Sequence, residues 1–83
     1  MKIKLNEVRN ITITGEYIKL DALLKFASIA STGGEAKFLI TSGDVFVNGE
    51  SCDSRGKKIR DGDIVRCGNN ILRISAVKKN QKK

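Results

Sequence analysis

The sequence predicts an α+β fold in which a unit of two short helices packs on a small, mostly antiparallel sheet. Three patterns predict it: alternating β-branched residues near the start, apolar residues at helical spacing after them, and an Asn-Gly pair that opens a β-rich second half. The expected element order is β-α-α-β-β-β-β. Eighty-three residues are enough for one domain, which we expect to cover residues 1–77.

The first strand and the first helix are separated by a change in apolar period. Between Val8 and Thr14, Ile11 and Ile13 alternate with threonines, which predicts a strand. Apolar residues then recur three and four positions apart, which predicts one buried face of a helix. These residues are Leu20, Leu23, Leu24 and Ala27. Asp21 suits the positive end of the helix dipole, and we expect the stretch after Ala27 to close the helix.

The second helix is predicted from its end signals. Thr32 followed three residues later by Glu35 fits a capping box, in which each side chain accepts a hydrogen bond from the other residue's backbone N–H. A helix over about residues 34–42 follows. Its buried residues would be Ala36, Leu39 and Ile40. Gly43 occupies the position where a left-handed residue commonly ends a helix.

The rest of the chain has the signals of strands and turns. Asn48-Gly49 predicts a hairpin, because a type I′ turn needs positive φ at both central positions. Asp61-Gly62-Asp63 predicts another turn. The predicted strands cover residues 45–47, 50–53, 64–67 and 71–77. We expect Lys78–Lys83 to be a disordered basic tail, because it has no apolar residue to bury.

The charge of the chain indicates a polyanionic partner. Sixteen Lys and Arg residues against nine acids give a formal charge of +7. The four lysines after residue 77 contribute four of these charges and leave +3 on the rest. A basic excess attracts polyanions without identifying them. Nucleic acid is the commonest such partner; an acidic protein and an anionic membrane surface are the alternatives.

The sequence lacks the side chains that most catalytic and metal sites need. It has no His, and its two cysteines, Cys52 and Cys67, lack the spacing of a zinc site or a disulfide framework. We interpret both as reduced, small apolar residues on strands. Asp61 and Asp63 flank a turn glycine, where Asp commonly bonds to the backbone. We therefore expect no enzyme activity, no cofactor and no metal.

Targeting signals are also missing from the sequence. The first seven residues contain no apolar core of a signal peptide, and no stretch approaches the ~18 consecutive apolar residues of a membrane span. We expect a soluble, cytoplasmic protein that makes no membrane contact.

The start of the second helix is one candidate for phosphate binding. The free N–H groups and positive dipole end of a helix suit an anion, and Gly33-Gly34 would let a backbone approach closely. Lys37 and Thr41, four residues apart, would share a face directed away from the core. The alternative is a flexible turn beside a solvated lysine.

A basic loop is the second candidate. Four cations lie within six residues, and the nearby Asp53 and Asp61 are too few to neutralise them. These cations are Arg55, Lys57, Lys58 and Arg60. Lys19 and Lys25, at the two ends of the first helix, add a weaker signal. The alternative is a loop that only increases solubility.

In their order and spacing, these motifs resemble the RNA-binding domain named after ribosomal small-subunit protein S4. The matching residues are Lys19-Leu20-Asp21-x-x-Leu24, Ser31, Gly34-Glu35-Ala36-Lys37, Ile40-x-x-Gly43-x-Val45-x-Val47-Asn48-Gly49 and Gly62-Asp63-x-Val65. The resemblance covers about residues 8–67. Within the family it is greatest to small stand-alone bacterial proteins with a Gly-Gly-x-Ala-Lys helix start and an Arg-Gly-Lys-Lys loop.

The resemblance implies the alpha-L RNA-binding motif, an αα unit on an antiparallel sheet, in a non-catalytic protein that binds structured RNA. It also implies ribosomal RNA as the ligand, with a role in ribosome assembly or the handling of ribosomal particles. Taken with the basic residues above, the predicted RNA contacts are Lys19, Lys25, Ser31, Thr32, Gly33, Lys37, Thr41, Arg55, Lys57, Lys58 and Arg60.

A rigid basic surface would recognise the shape of folded RNA through its phosphates and 2′-hydroxyls. The chain has three Phe and one Tyr, and we expect these to be mostly buried, which disfavours stacking on unpaired bases. We expect a monomer. The alternative function is an adaptor that binds an acidic protein partner through its basic surface.

Overall fold

The computed structural model describes residues 7–77, and its architecture confirms the predicted α+β class. The elements in chain order are β1 (Glu7–Thr14), β2 (Ile18–Lys19), α1 (Leu20–Phe26), α2 (Gly33–Thr41), β3 (Val45–Val47), β4 (Glu50–Ser51), β5 (Lys58–Ile59), β6 (Ile64–Cys67) and β7 (Asn70–Val77). The tail predicted to be disordered, Lys78–Lys83, lies outside the described residues. Neither helix within residues 7–77 is long and apolar enough to cross a membrane.

The main sheet contains five strands in the order β1-β7-β6-β3-β4. The first and last strands, β1 and β7, pair in parallel, whereas the other three pairings are antiparallel. Because successive strand residues point to opposite faces, one face contributes aliphatic side chains to the core beneath the helices. The opposite face, here called the outer face, carries Val8, Phe46, Ile64, Arg66, Ile71 and Arg73.

β2 and β5 form a separate two-stranded sheet that the sequence did not predict. Ile18 pairs with Ile59, and Lys19 pairs with Lys58, in antiparallel register. Two residues are too few for a strand period to be visible in a sequence. Ile59 is fully buried, so this small sheet attaches the basic loop to the core and to the start of α1.

The helices follow the predicted pattern and are held at their ends. The apolar stripe of α1 is buried. The helix ends in a Schellman motif, in which the Ile29 N–H donates to the Leu24 carbonyl oxygen and Ser28 takes a left-handed φ of 63°. Arg9 of β1 donates to the Ala27 carbonyl oxygen at 2.8 Å. A cation therefore lies at the negative end of the helix dipole.

The hairpin turn is of the predicted kind. Asn48 and Gly49 have φ of 52° and 88°, both positive as a type I′ turn requires. The Asn48 side chain also joins the next turn, because its Nδ2 donates to Asp63 Oδ1 at 3.1 Å and its Oδ1 accepts from the Ile64 N–H at 3.0 Å. The return strand predicted over residues 50–53 is shorter, ending at Ser51.

Candidate nucleic-acid interface

The first helix begins against the backbone of the basic loop. The N–H groups of Leu20 and Asp21 donate to the carbonyl oxygens of Lys57 at 2.9 Å and Arg55 at 3.1 Å. The first N–H groups of a helix have no partner within the helix, and no side chain caps this one. The loop backbone supplies the cap instead. The position of the loop is thereby fixed while its side chains remain exposed.

Four exposed cations lie on the segments that meet at this helix start. Lys19 and Lys58 face each other across the β2–β5 pair, and the loop bonded to α1 adds two more. We call this set the loop cluster; its members are Lys19, Arg55, Lys57 and Lys58.

Tyr17 joins the loop cluster to Arg60. The Lys58 Nζ lies 4.9 Å from the centre of the Tyr17 ring, and the Arg60 guanidinium carbon lies 5.7 Å from it. Both distances are those of cation–π contacts. Sequence reasoning missed Tyr17, because a single aromatic residue between a turn and a helix belongs to no periodic pattern.

The second helix is capped by its own side chains. Thr32 Oγ1 accepts from the Glu35 N–H at 3.1 Å, and the Glu35 carboxylate accepts from the Ser31 N–H at 2.8 Å. The predicted capping box is confirmed with one difference: Glu35 reaches Ser31 rather than Thr32. The N–H groups of Gly33 and Gly34 have no acceptor among residues 7–77. They are the donors available to an external anion.

Nothing within the described residues requires glycine at the start of α2. Neither Gly33 nor Gly34 has a positive φ. A Cβ at Gly33 would meet no atom within 4 Å, and one at Gly34 would meet only Thr32 Oγ1 at 3.9 Å. Glycine destabilises a helix by roughly 0.5–1 kcal/mol relative to alanine. The two glycines therefore make the helix less stable, and no side chain in the described part of the chain covers the backbone at its start.

The exposed face of α2 continues from these glycines. Lys37 and Thr41 are both exposed, and the Thr41 hydroxyl donates to the Lys37 carbonyl oxygen at 2.9 Å. We call the predicted contacts of this helix the α2 cluster; they are Ser31, Thr32, Gly33, Lys37 and Thr41. The two clusters are on helices that pack on each other in one core.

Lys25 is the predicted contact that the structure attaches to neither cluster. It lies in the last turn of α1, about 9 Å along the helix axis from Lys19 at 1.5 Å per residue. Its side chain makes no hydrogen bond within residues 7–77. Its role in binding stays a prediction, as do those of the two clusters.

Two of the acids near these cations are engaged with backbone groups. Asp61 Oδ1 accepts from the Ala76 N–H at 2.8 Å, and Asp63 Oδ2 accepts from the Arg60 N–H at 2.8 Å. Asp63 bonds within its own turn as predicted, whereas the Asp61 carboxylate bonds to the distant strand β7. Among residues 7–77, no hydrogen bond joins a lysine ammonium to a carboxylate. The positive charge of the clusters is therefore available to a partner.

The expectation of mostly buried aromatic residues is wrong. The exposed fractions are 39% for Tyr17, 60% for Phe26, 66% for Phe38 and 37% for Phe46. The core is filled by aliphatic side chains instead. Phe38 shows the cause: it lies two positions from Ala36 and two from Ile40, which on a helix is away from the buried stripe. Stacking on bases is thus sterically open to this protein.

The two cysteines are free thiols on opposite sides of β3. The Cys52 N–H donates to the Val45 carbonyl oxygen, and Val45 is paired with Cys67 on the other side. Two strand spacings separate them by about 10 Å, which is too far for a disulfide. Cys52 follows β4 rather than lying on a strand. Burial, together with the negative charge of Asp44, raises the pKa of the Cys67 thiol.

The candidate site lies within the part of the chain that matches a known protein family. A family model described as S4 domain matches residues 11–75, which include both helix starts and the basic loop. A Bacillus subtilis (strain 168) protein described as a probable ribosome maturation protein, RlbA, is 40% identical over 55 residues. That match covers 66% of this chain and 78% of the relative.

Proposed function

The chain belongs to the S4 domain family, and from this premise we propose that it is a non-catalytic protein that binds structured RNA. The observation that carries the proposal is that each helix start presents groups that suit a phosphate, cations of the loop cluster at α1 and glycine N–H groups at α2 that bond to no described residue. Together they offer what a phosphate needs: the loop cluster supplies positive charge, and the start of α2 supplies fixed N–H donors.

The loop cluster acts as a rigid set of cations for successive phosphates. Its loop cannot move freely, because the carbonyl oxygens of Arg55 and Lys57 are bonded to α1. Fixing the backbone reduces the entropy that is lost when the lysine and arginine heads bind. Because these heads contact phosphates rather than bases, the cluster recognises the spacing of the RNA backbone.

The α2 cluster seats one phosphate on the helix start. The N–H groups of Gly33 and Gly34 point out of the helix, and the ammonium of Lys37 is one turn away. The Glu35 carboxylate is nearby and negative, but it is held by the Ser31 N–H at 2.8 Å. In this arrangement Glu35 orders the loop rather than opposing the phosphate.

Ribosomal RNA is the proposed ligand, and ribosome assembly is the proposed process. The description of the Bacillus subtilis relative as a probable ribosome maturation protein supports this assignment. We propose further that the protein acts as a monomer in the cytoplasm, where ribosomal particles are assembled.

Crosslinking the protein to RNA in cells and sequencing the attached fragments tests the function. We expect ribosomal RNA to be enriched, with crosslinks concentrated in a few structured segments. In vitro, affinity for such a segment should fall steeply between about 50 and 200 mM salt, because phosphate contacts release counterions. A protein that recovers no RNA above background would contradict the proposal.

The outer face favours a second candidate function, binding of an acidic protein. Phe46 and Ile64 are 37% and 42% exposed, and they border a depression of about 290 Å³ with Arg66 and Ile71. Apolar groups beside exposed arginines suit a protein interface. Nuclease treatment separates the two functions: partners bound to the outer face would remain after the RNA is digested, and partners bridged by RNA would be lost.

A further inference from the structure

A cleft beside the loop cluster is lined by two of the exposed aromatic residues. Its volume is about 240 Å³, and its walls include Tyr17, Phe26 and Ile18. Thr12 and Thr14 of β1 also line it. Phe26 is 60% exposed and Tyr17 is 39% exposed, so the cleft presents aromatic surface to solvent.

Positive charge borders the same cleft. Tyr17, which lines it, has the Lys58 Nζ at 4.9 Å from the ring centre and the Arg60 guanidinium carbon at 5.7 Å. Lys58 belongs to the loop cluster. The cleft is therefore continuous with the surface that the proposed function assigns to phosphates.

We propose that this cleft binds one unpaired nucleotide of the RNA. The base stacks on Phe26 beside Tyr17, and the adjoining phosphate lies against Lys58 and Arg60. This inference rests on the proposed function and deepens it, since it selects RNA with a bulged or looped-out base over a continuous duplex.

The size and chemistry of the cleft fit a base better than a larger ligand. Its volume is below the roughly 300–1,000 Å³ of pockets that hold drug-sized molecules. Every base presents a π face to an aromatic side chain, so stacking needs no particular sequence. A nucleotide has a flat ring and a negatively charged phosphate. These two groups match the two aromatic residues of the cleft and the two cations beside them.

The test compares two RNA hairpins that differ in one group. Both carry a single-nucleotide bulge in the same stem; in one the bulged residue has its base, and in the other it is abasic. The backbone and its phosphates are therefore the same. We expect the protein to prefer the hairpin with the base by roughly 5- to 160-fold, the range of one stacked base.

Variants then assign the preference to the cleft. Phe26→Ala should reduce the preference to about one and leave affinity for the abasic hairpin unchanged, while Phe26→Trp should keep it. Phe46→Ala, which removes another exposed ring from the outer face, serves as the matched control and should keep the full preference. Thermal unfolding checks that each variant is folded.

Each of the other outcomes overturns the inference. Equal affinity of the unaltered protein for the two hairpins would exclude a base site, and the proposed function would stand if both were still bound in a salt-dependent way. An equal loss for both hairpins in a folded Phe26→Ala variant would mean that Phe26 does not stack on the bulged base. Failure to bind either hairpin, or any structured RNA, would remove the proposed function as well.

Discussion

The two helices of this protein begin in opposite ways. α1 has no side-chain cap, and its first N–H groups are occupied by the carbonyl oxygens of Lys57 and Arg55, distant in sequence. α2 is capped locally by Thr32 and Glu35, and the N–H groups of its glycines have no acceptor within residues 7–77.

This difference separates two ways of presenting charge to a phosphate. At α1 the first N–H groups are already bonded to carbonyl oxygens of the loop. These bonds fix the backbone of a loop that carries cationic side chains. At α2 the donors themselves are presented, with Lys37 close by. One helix start thus offers side chains on a fixed backbone, and the other offers the backbone. The predictions below remove one or both of these contributions.

The largest effect is expected when both helix starts lose charge together. Lys37→Glu combined with Lys57→Glu should lower RNA affinity about 100-fold or more, because two phosphate contacts become repulsions. Both residues are exposed, so the melting temperature should stay nearly unchanged. A mobility-shift titration measures the affinity.

The matched control is Arg66→Glu combined with Arg73→Glu on the outer face. It makes the same change in net charge on exposed strand positions. An equal loss in both double variants would mean that only net charge matters and that no particular face binds RNA.

A smaller effect is expected when a side chain is added to a glycine at the start of α2. Gly34→Ala should weaken RNA binding by roughly 13-fold, the lower limit for one hydrogen bond to a charged group. The same change should raise the free energy of unfolding by about 0.5–1 kcal/mol, because alanine is the better helix former. Binding titrations and denaturant unfolding measure the two opposite changes.

Gly56→Ala is the control for this substitution. Gly56 also lacks a positive φ, and a Cβ there would meet no atom within 4 Å. Because phosphates are proposed to contact the side chains of this loop rather than its backbone, affinity for RNA should fall less in Gly56→Ala than in Gly34→Ala. If Gly34→Ala bound RNA as tightly as the unaltered protein, no phosphate would approach the start of α2.

At α1 the effect of one side chain on RNA binding can be measured separately from the effect of its backbone carbonyl on stability. Lys57→Ala removes a cation but keeps the carbonyl oxygen that accepts from Leu20. We expect affinity to fall about three- to tenfold, with the slope of log affinity against log salt reduced by about one. The melting temperature should not change. A marked fall in stability would show that the Lys57 side chain, rather than the loop backbone, holds the helix start.

The smallest effect concerns the local cap of α2. Thr32→Ala removes the oxygen that accepts from the Glu35 N–H at 3.1 Å and should lower the free energy of unfolding by about 1 kcal/mol. Thr32→Ser, which keeps the oxygen, should recover most of it. Equal stability of the two variants in denaturant unfolding would mean that the cap does not stabilise the helix.

The sequence predicted the caps and turns whose formation depends on neighbouring residues. The Thr32–Glu35 box, the left-handed Gly43 and the Asn48-Gly49 turn all follow from neighbours in sequence, and all are confirmed. The order of motifs also identified the family, although each motif alone is common.

Long-range contacts were what the sequence could not show. The cap of α1 comes from a loop more than thirty residues away, and β5 is visible only through its pairing with Ile18 and Lys19. The exposure of Phe26 and Tyr17 was also missed. An apolar side chain is usually expected to be buried. The sequence does not show that aliphatic residues fill the core in this protein, which leaves the aromatic side chains exposed.

The contrast between the two helix starts is tested most directly by NMR titration of the amide groups with a structured RNA. If phosphate binds the bare helix start, the amide signals of Gly33 and Gly34 should move strongly, because their N–H groups gain a charged acceptor. Those of Leu20 and Asp21, already bonded to the loop, should move little. Shifts confined to outer-face residues such as Phe46 and Arg66, with Gly33 and Gly34 unmoved, would contradict the account.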